Sequence, residues 1–146
     1  MSKSNTFEND LLLLIFNNTD IALIGDAAGL QNSATAGSLY VGLHTADPGE
    51  AGTQSTSEIS YTGYARVAVA RSGAGWTVTG GSVSPAAAIT FGALTAGAGG
   101  TVTPFSVGTD SSGTGKLLYK GAVTPNIVVS NGVTPQLTTS TAITED

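Results

Sequence analysis

Apolar and polar residues alternate with period two along most of this chain. Leu39, Val41 and Leu43 alternate with Tyr40, Gly42 and His44; Ala65, Val67 and Val69 alternate with Tyr64, Arg66 and Ala68. That period sends successive side chains to opposite faces of a strand. The two runs are read as strands joined by a long polar loop. Asp47-Pro48-Gly49 opens the loop with a turn: Pro48 presets φ, Gly49 accepts positive φ, and Asp47 can bond the backbone two residues on.

The pattern then repeats to the end of the chain. Trp76 and Val78 share a face, Gly80-Gly81 is a turn, and Ile89 and Phe91 start another inward set. Gly97 to Gly100 is a loop, Phe105 and Val107 come next, and Asp110 to Gly115 is a flexible tip. Leu117, Tyr119 and Val123 follow, then Ile127 and Val129, then the hairpin signal Asn131-Gly132. Leu137 to Ile143 is read as the last strand. Short strands between Gly and Pro turns predict an all-β fold, an antiparallel β-sandwich of jelly-roll type. Thr fills outward positions, where its β-branch suits the pleat.

Only the N-terminus reads as a helix. Asn5 is the expected cap, with Glu8 reaching back to it. Phe7, Leu11, Leu14 and Ile15 form a stripe, Leu12, Leu13 and Phe16 lie off it, and Asn17 and Asn18 end the helix. Residues 19–38 form a connection with an apolar patch, Ile21, Leu23 and Ile24, expected to be buried. One domain over residues 1–146 is expected, with residues 1–18 as helix or arm and 39–146 as the sandwich. A helix apolar on two faces suggests a second, intermolecular contact. Removing residues 1–16 is therefore expected to abolish partner binding and leave a folded β domain.

Composition narrows the function. Charged residues make up 10% of the chain, against roughly 25% in an ordinary globular protein. Thr, Ser and Gly must wet the surface instead, which suits a protein that lives in an assembly. The net charge of −5 excludes the basic stripe that a nucleic-acid binder uses on phosphates, and argues against an anionic membrane surface. The six apolar residues from Leu11 to Phe16 fall short of the ~20 a span needs. No signal peptide is read there either. Cys is absent, so disulfides and thiolate chemistry are excluded.

No reaction centre emerges. His44 is the only histidine, without the second His or Cys of an ordinary zinc site, and no G-x-S-x-G elbow presents a serine to it. SSGTGKLL, residues 111–118, lacks the first Gly and the hydroxyl after Lys116 that a phosphate loop needs. Asp47, Glu50 and Glu58 lack the alternating spacing of a calcium loop. Nothing brings two carboxylates to one cleft for glycoside hydrolysis. No catalytic, cofactor-binding or metal-binding residue is assigned, and no cofactor is expected. Arg66 and Arg71, in a base-poor chain, are expected to find partners within the fold. Tyr61 and Tyr64 are the tyrosines best placed for exposure.

The run LYVGLHTADPGEAGTQSTSEISYTGYARVAVAR, with the later AAAITF, TPFSVGT, KLLYKGAVT and TAITED, resembles a group of small virion proteins of tailed bacteriophages. Members often carry a tail fibre label, and relatives serve as head decoration or cement proteins. The resemblance implies a non-enzymatic virion protein, made in the host cytoplasm. A capsid decoration role is expected: binding the expanded lattice of the major capsid protein and stabilising it by mass action. Self-association into a dimer or trimer is expected too. The alternative is a tail-tip or tail-fibre-associated protein that binds a host glycan. Phe7, Leu11, Leu12, Phe16, His44, Asp47, Tyr61, Tyr64 and Arg66 are the expected interface residues.

Overall fold

The computed structural model describes residues 2–145. In chain order its elements are α1 (Asn5–Asn17), β1 (Ser38–Leu43), β2 (Val67–Ala70), β3 (Trp76–Thr79), β4 (Ser82–Pro85), β5 (Ile89–Thr90), β6 (Gly100–Gly108), β7 (Leu117–Val129), β8 (Gln136–Leu137) and β9 (Ile143–Thr144). The pairs β1–β6, β6–β7, β3–β4, β4–β9 and β5–β8 are all antiparallel. The all-β class expected from the alternation holds, with one short N-terminal helix.

The chain forms two compact units, each assembled from separate segments. The first comprises Met1–Ser38, Val69–Ala87 and Thr138–Asp146; the second comprises Leu39–Ala68 and Ala88–Leu137. The helix thus shares a unit with β3, β4 and β9.

In the first unit, α1 packs on β3 and β4 of a three-stranded sheet ordered β3-β4-β9. Ser4 caps the helix, its Oγ accepting from the Phe7 amide, so the start lies one residue before the expected Asn5 cap. Asn18 ends it in the left-handed conformation, at φ 56°, as the Asn pair suggests. The buried stripe is Glu8, Leu12 and Phe16 rather than Phe7, Leu11, Leu14 and Ile15. Both stripes have helical spacing, and the partner surface decides between them. Phe16 meets Trp76 edge-on, with ring centres 4.8 Å apart, and Val83 and Ile143, paired across β4 and β9, are buried in the same unit. Removing residues 1–16 therefore takes the core side chains Leu12 and Phe16 from this unit.

Three strand readings are corrected. Gly80-Gly81 does close the β3–β4 hairpin, both residues at positive φ. Asn131-Gly132 makes a turn but not a hairpin: β7 pairs with β6 while β8 pairs with β5. The expected last strand, Leu137 to Ile143, is broken by a turn at Thr138–Thr141 into β8 and β9. Ile127 and Val129 do not form a separate strand; they extend β7, whose register with β6 shifts twice, between Val102 and Pro104 and between Val107 and Gly108.

The second unit is organised on β1, β6 and β7, hydrogen-bonded in that order, with β5–β8 as a second, two-stranded sheet. Its core holds Leu39, Val41, Leu43, Ile59, Phe91, Leu94, Val102, Phe105 and Val107. Burying each such side chain stabilises by about 1.5–3 kcal/mol. β6 sits between β1 and β7, so Val102, Phe105 and Val107 carry the centre of that core.

Candidate functional site

On the other face of β1 and β6 the second unit buries polar groups. His44 is fully buried. Its ring lies 2.8 Å from the Thr56 carbonyl through Nδ1 and 2.7 Å from Ser106 Oγ through Nε2. A carbonyl only accepts, so Nδ1 carries the proton and the Ser106 hydroxyl donates to Nε2. Burial pulls the His44 pKa below its ordinary value, more than the Thr56 carbonyl raises it. The imidazole is therefore neutral at pH 7.

Arg66 is the second buried group. Nε and Nη2 grip the two Glu58 carboxylate oxygens, each at 2.7 Å. Nη1 donates to the Asp110 carbonyl at 2.9 Å and Nη2 to the Gly113 carbonyl at 2.7 Å. Tyr64 donates to Glu58 at 2.9 Å and accepts from the Leu43 amide at 3.0 Å. The Glu58 bonds raise the Arg66 pKa, and burial drives the Tyr64 phenol well above its usual range. Gln54, fully buried, accepts from the Asp110 amide at 2.9 Å. Its own amide reaches the Thr114 carbonyl at 2.9 Å. Gly108 and Gly115 leave room for it: a Cβ at either position would overlap the Gln54 side chain. The 45–65 loop and the 109–116 tip are thus fastened together by Arg66 and Gln54. A tip read as flexible from its Gly and Ser content is pinned by buried donors.

Arg71 works differently. It donates to the Leu14 and Ile15 carbonyls, each at 2.7 Å, and to the Ala36 carbonyl at 3.1 Å. It caps the C-terminal end of α1, which has no base in its own last turn.

On the surface of the second unit, Lys120 pairs with Asp47 at 2.9 Å and with Glu50 at 3.3 Å. The hydrogen bond from Lys120 holds the Asp47 pKa below its usual value. Beside this cluster lies an open cleft of about 340 Å³, lined by Asp47, Thr103, Pro104, Lys120, Gly121 and Ala122.

The nine expected interface residues separate by exposure. Leu12, Phe16 and His44 are fully buried, and Tyr61 and Arg66 nearly so, so their side chains serve the fold and offer a partner little surface. Tyr61 donates to the Gly92 carbonyl at 2.8 Å. Tyr64 and Leu11 are half-buried, while Phe7 and Asp47 are exposed. In the connection after the helix only Ile21 is buried; Leu23 is 80% exposed and Ile24 also faces solvent, against expectation. A two-way Ile21–Leu30 backbone pair and an Asp26 turn fold this segment into its own small loop.

Sequence reasoning missed Gln54, Glu58 and Ser106 as partners. The available signal was that Arg66, just before β2 in a chain with few charges, required a carboxylate. Glu58, eight residues earlier, supplies it through the fold of the loop.

Among the described residues, no group of three or more His, Asp or Glu is placed to hold a metal. No helix there is long and apolar enough to cross a membrane. No curated protein matches the chain. A family model, described as podophage GP4 fiber I protein gp80, matches residues 2–144. The match takes in the helix, nearly all of both units and every residue of the buried polar layer, and the chain belongs to that family of phage virion proteins.

Proposed function

We propose that this protein is a non-enzymatic building part of a fibre-type appendage on a phage particle. The observation that carries the reading is the match of residues 2–144 to a family described as a fibre protein. The buried layer agrees with it. Its one histidine is held neutral between a carbonyl and a serine, and its arginine is consumed by one carboxylate and two carbonyls. These groups fasten loops; none is aimed into a cleft where a substrate would sit. A surface poor in charge loses little solvation when it meets neighbouring subunits.

This moves the location from the capsid expected above towards the fibre. Quantitative mass spectrometry of purified particles tests it, together with gold-labelled antibody. A handful of copies per particle, labelled at the tail, is expected. Hundreds of copies spread over the head would overturn the fibre placement and restore capsid decoration. Glycan-array binding by the isolated chain would add host recognition to the structural role.

A further inference from the structure

The cleft beside Lys120 lies outside the buried polar layer, yet its walls are held in place. Ser106 lies opposite Lys120 and Pro104 opposite Ala122 across β6–β7, so Lys120, Pro104 and Ala122 share one face of the sheet. The turn at Asp47-Pro48-Gly49 brings a carboxylate to that face. The Gly49 amide donates to Asp47 Oδ1 at 2.8 Å. Lys120 Nζ lies 2.9 Å from Asp47 Oδ1 and 3.0 Å from Oδ2. The Thr103 hydroxyl donates to the Thr45 carbonyl at 3.3 Å.

The bonding capacity left over defines what the cleft can take. A carboxylate offers about four lone-pair sites. Asp47 Oδ1 is engaged twice and Oδ2 once, so Oδ2 can accept a further donor. Thr103 has spent its proton and keeps its lone pairs. Lys120 directs N–H groups at Asp47 and Glu50 and retains one donor for a ligand. The free groups are mostly acceptors, set around apolar surface from Pro104, Gly121 and Ala122. A matching ligand carries several O–H or N–H donors on its rim and C–H groups on its face. Two carboxylates against one ammonium leave the cluster net negative, which repels an anion. A sugar ring without carboxylate, phosphate or sulfate meets all three conditions. The 340 Å³ volume lies at the small end of the range for ligand sites, about 300–1,000 Å³. Stability gives little reason for the cluster, because exposed ion pairs add little to a fold.

We propose that this cleft binds uncharged or amino saccharides. Asp47 and Thr103 accept from sugar hydroxyls, Lys120 donates to one, and Pro104 and Ala122 meet the C–H face of the ring. The site is carried by the cleft and not by the fibre reading, so counting copies at the tail or the head leaves it untouched. Hydrogen bonds formed in water gain little each, so one site binds weakly and many copies side by side bind well.

Full-length chain coupled densely to fluorescent beads, applied to an array of bacterial surface saccharides, tests this. Beads should be retained on neutral or amino saccharides and pass over acidic ones. The best-retained saccharide, titrated into isotope-labelled full chain, should shift the amide resonances of Gly49, Thr103, Gly121 and Ala122. Asp47→Asn removes the charge that orients Lys120, and Ala122→Phe fills the cleft from an exposed position. Each should weaken binding about tenfold or more while melting like the wild type. Should the phenylalanine variant fail to fold, the asparagine variant on its exposed turn decides alone. Four results overturn the proposal: no retention on the array, retention on acidic saccharides alone, shifts confined to other parts of the chain, or binding that survives both substitutions.

Discussion

The two units reach stability by opposite means. The first sets an amphipathic helix on a small sheet, with Leu12, Phe16 and Trp76 packed in a layer at or near zero exposure. The second backs an apolar core with a layer of His44, Gln54, Glu58, Arg66 and Ser106. Even the arginines divide this way. Arg71 ends a helix by binding backbone carbonyls, whereas Arg66 joins two loops through a carboxylate and two carbonyls. Apolar contact tolerates exchange for another apolar group of like volume. A buried polar layer does not, because each donor left unsatisfied costs the desolvation of that group.

The sharpest way to break the comparison is to truncate one anchor in each unit. Arg66→Ala leaves the Glu58 carboxylate without its cation and should cost about 3–5 kcal/mol in urea unfolding. Phe16→Ala should cost a similar ~3–5 kcal/mol by transfer and cavity terms. The two differ under conservative exchange: Phe16→Leu should recover much of the loss, and Arg66→Lys little, because an ammonium cannot reproduce the bidentate fork. Equal recovery in both units would erase the distinction.

Gly108→Ala comes next. Its Cβ would overlap the Gln54 side chain, and a loss of about 1–3 kcal/mol is expected. Hydrogen exchange should show the added mobility at Asp110 and Thr114, the backbone partners of Gln54.

The smallest effect is a pH dependence confined to the second unit. Burial depresses the His44 pKa in the folded chain below the ordinary 6.5. The unfolded chain therefore binds more protons once pH falls below that value, and stability drops on acidification. Above it, both states hold neutral imidazole and the term vanishes. The melting temperature should fall between about pH 7.5 and about pH 5, and His44→Asn should flatten that part of the slope. An unchanged slope would mean that the imidazole is protonated inside the fold.

Much of this contrast was legible in the residues. Period-two runs placed β1, β2, β3 and β6, and Gly80-Gly81 placed a hairpin turn, because alternation and positive φ are local properties. The helix was found but turned to the wrong face. Phe7 and Leu11 compete with Leu12 and Phe16 on spacing alone, and Trp76, sixty residues away, settles the choice. Asn131-Gly132 signalled a reversal but could not say which strand would receive the chain. The polar layer was the least legible part. The link between Glu58 and Arg66, or between Gln54 and Asp110, depends on two loops meeting, and no local pattern encodes that.

Each unit is stitched from pieces that lie far apart in the chain, and this has a consequence for synthesis. β9, near the C-terminus, zips onto β4 through Ser82–Thr144 and Val83–Ile143, in the unit that also holds the N-terminal helix. A ribosome must therefore emit the chain through β9 before α1 meets its finished bed. Until then the nascent Leu12 and Phe16 wait uncovered, which is when a chaperone would find them.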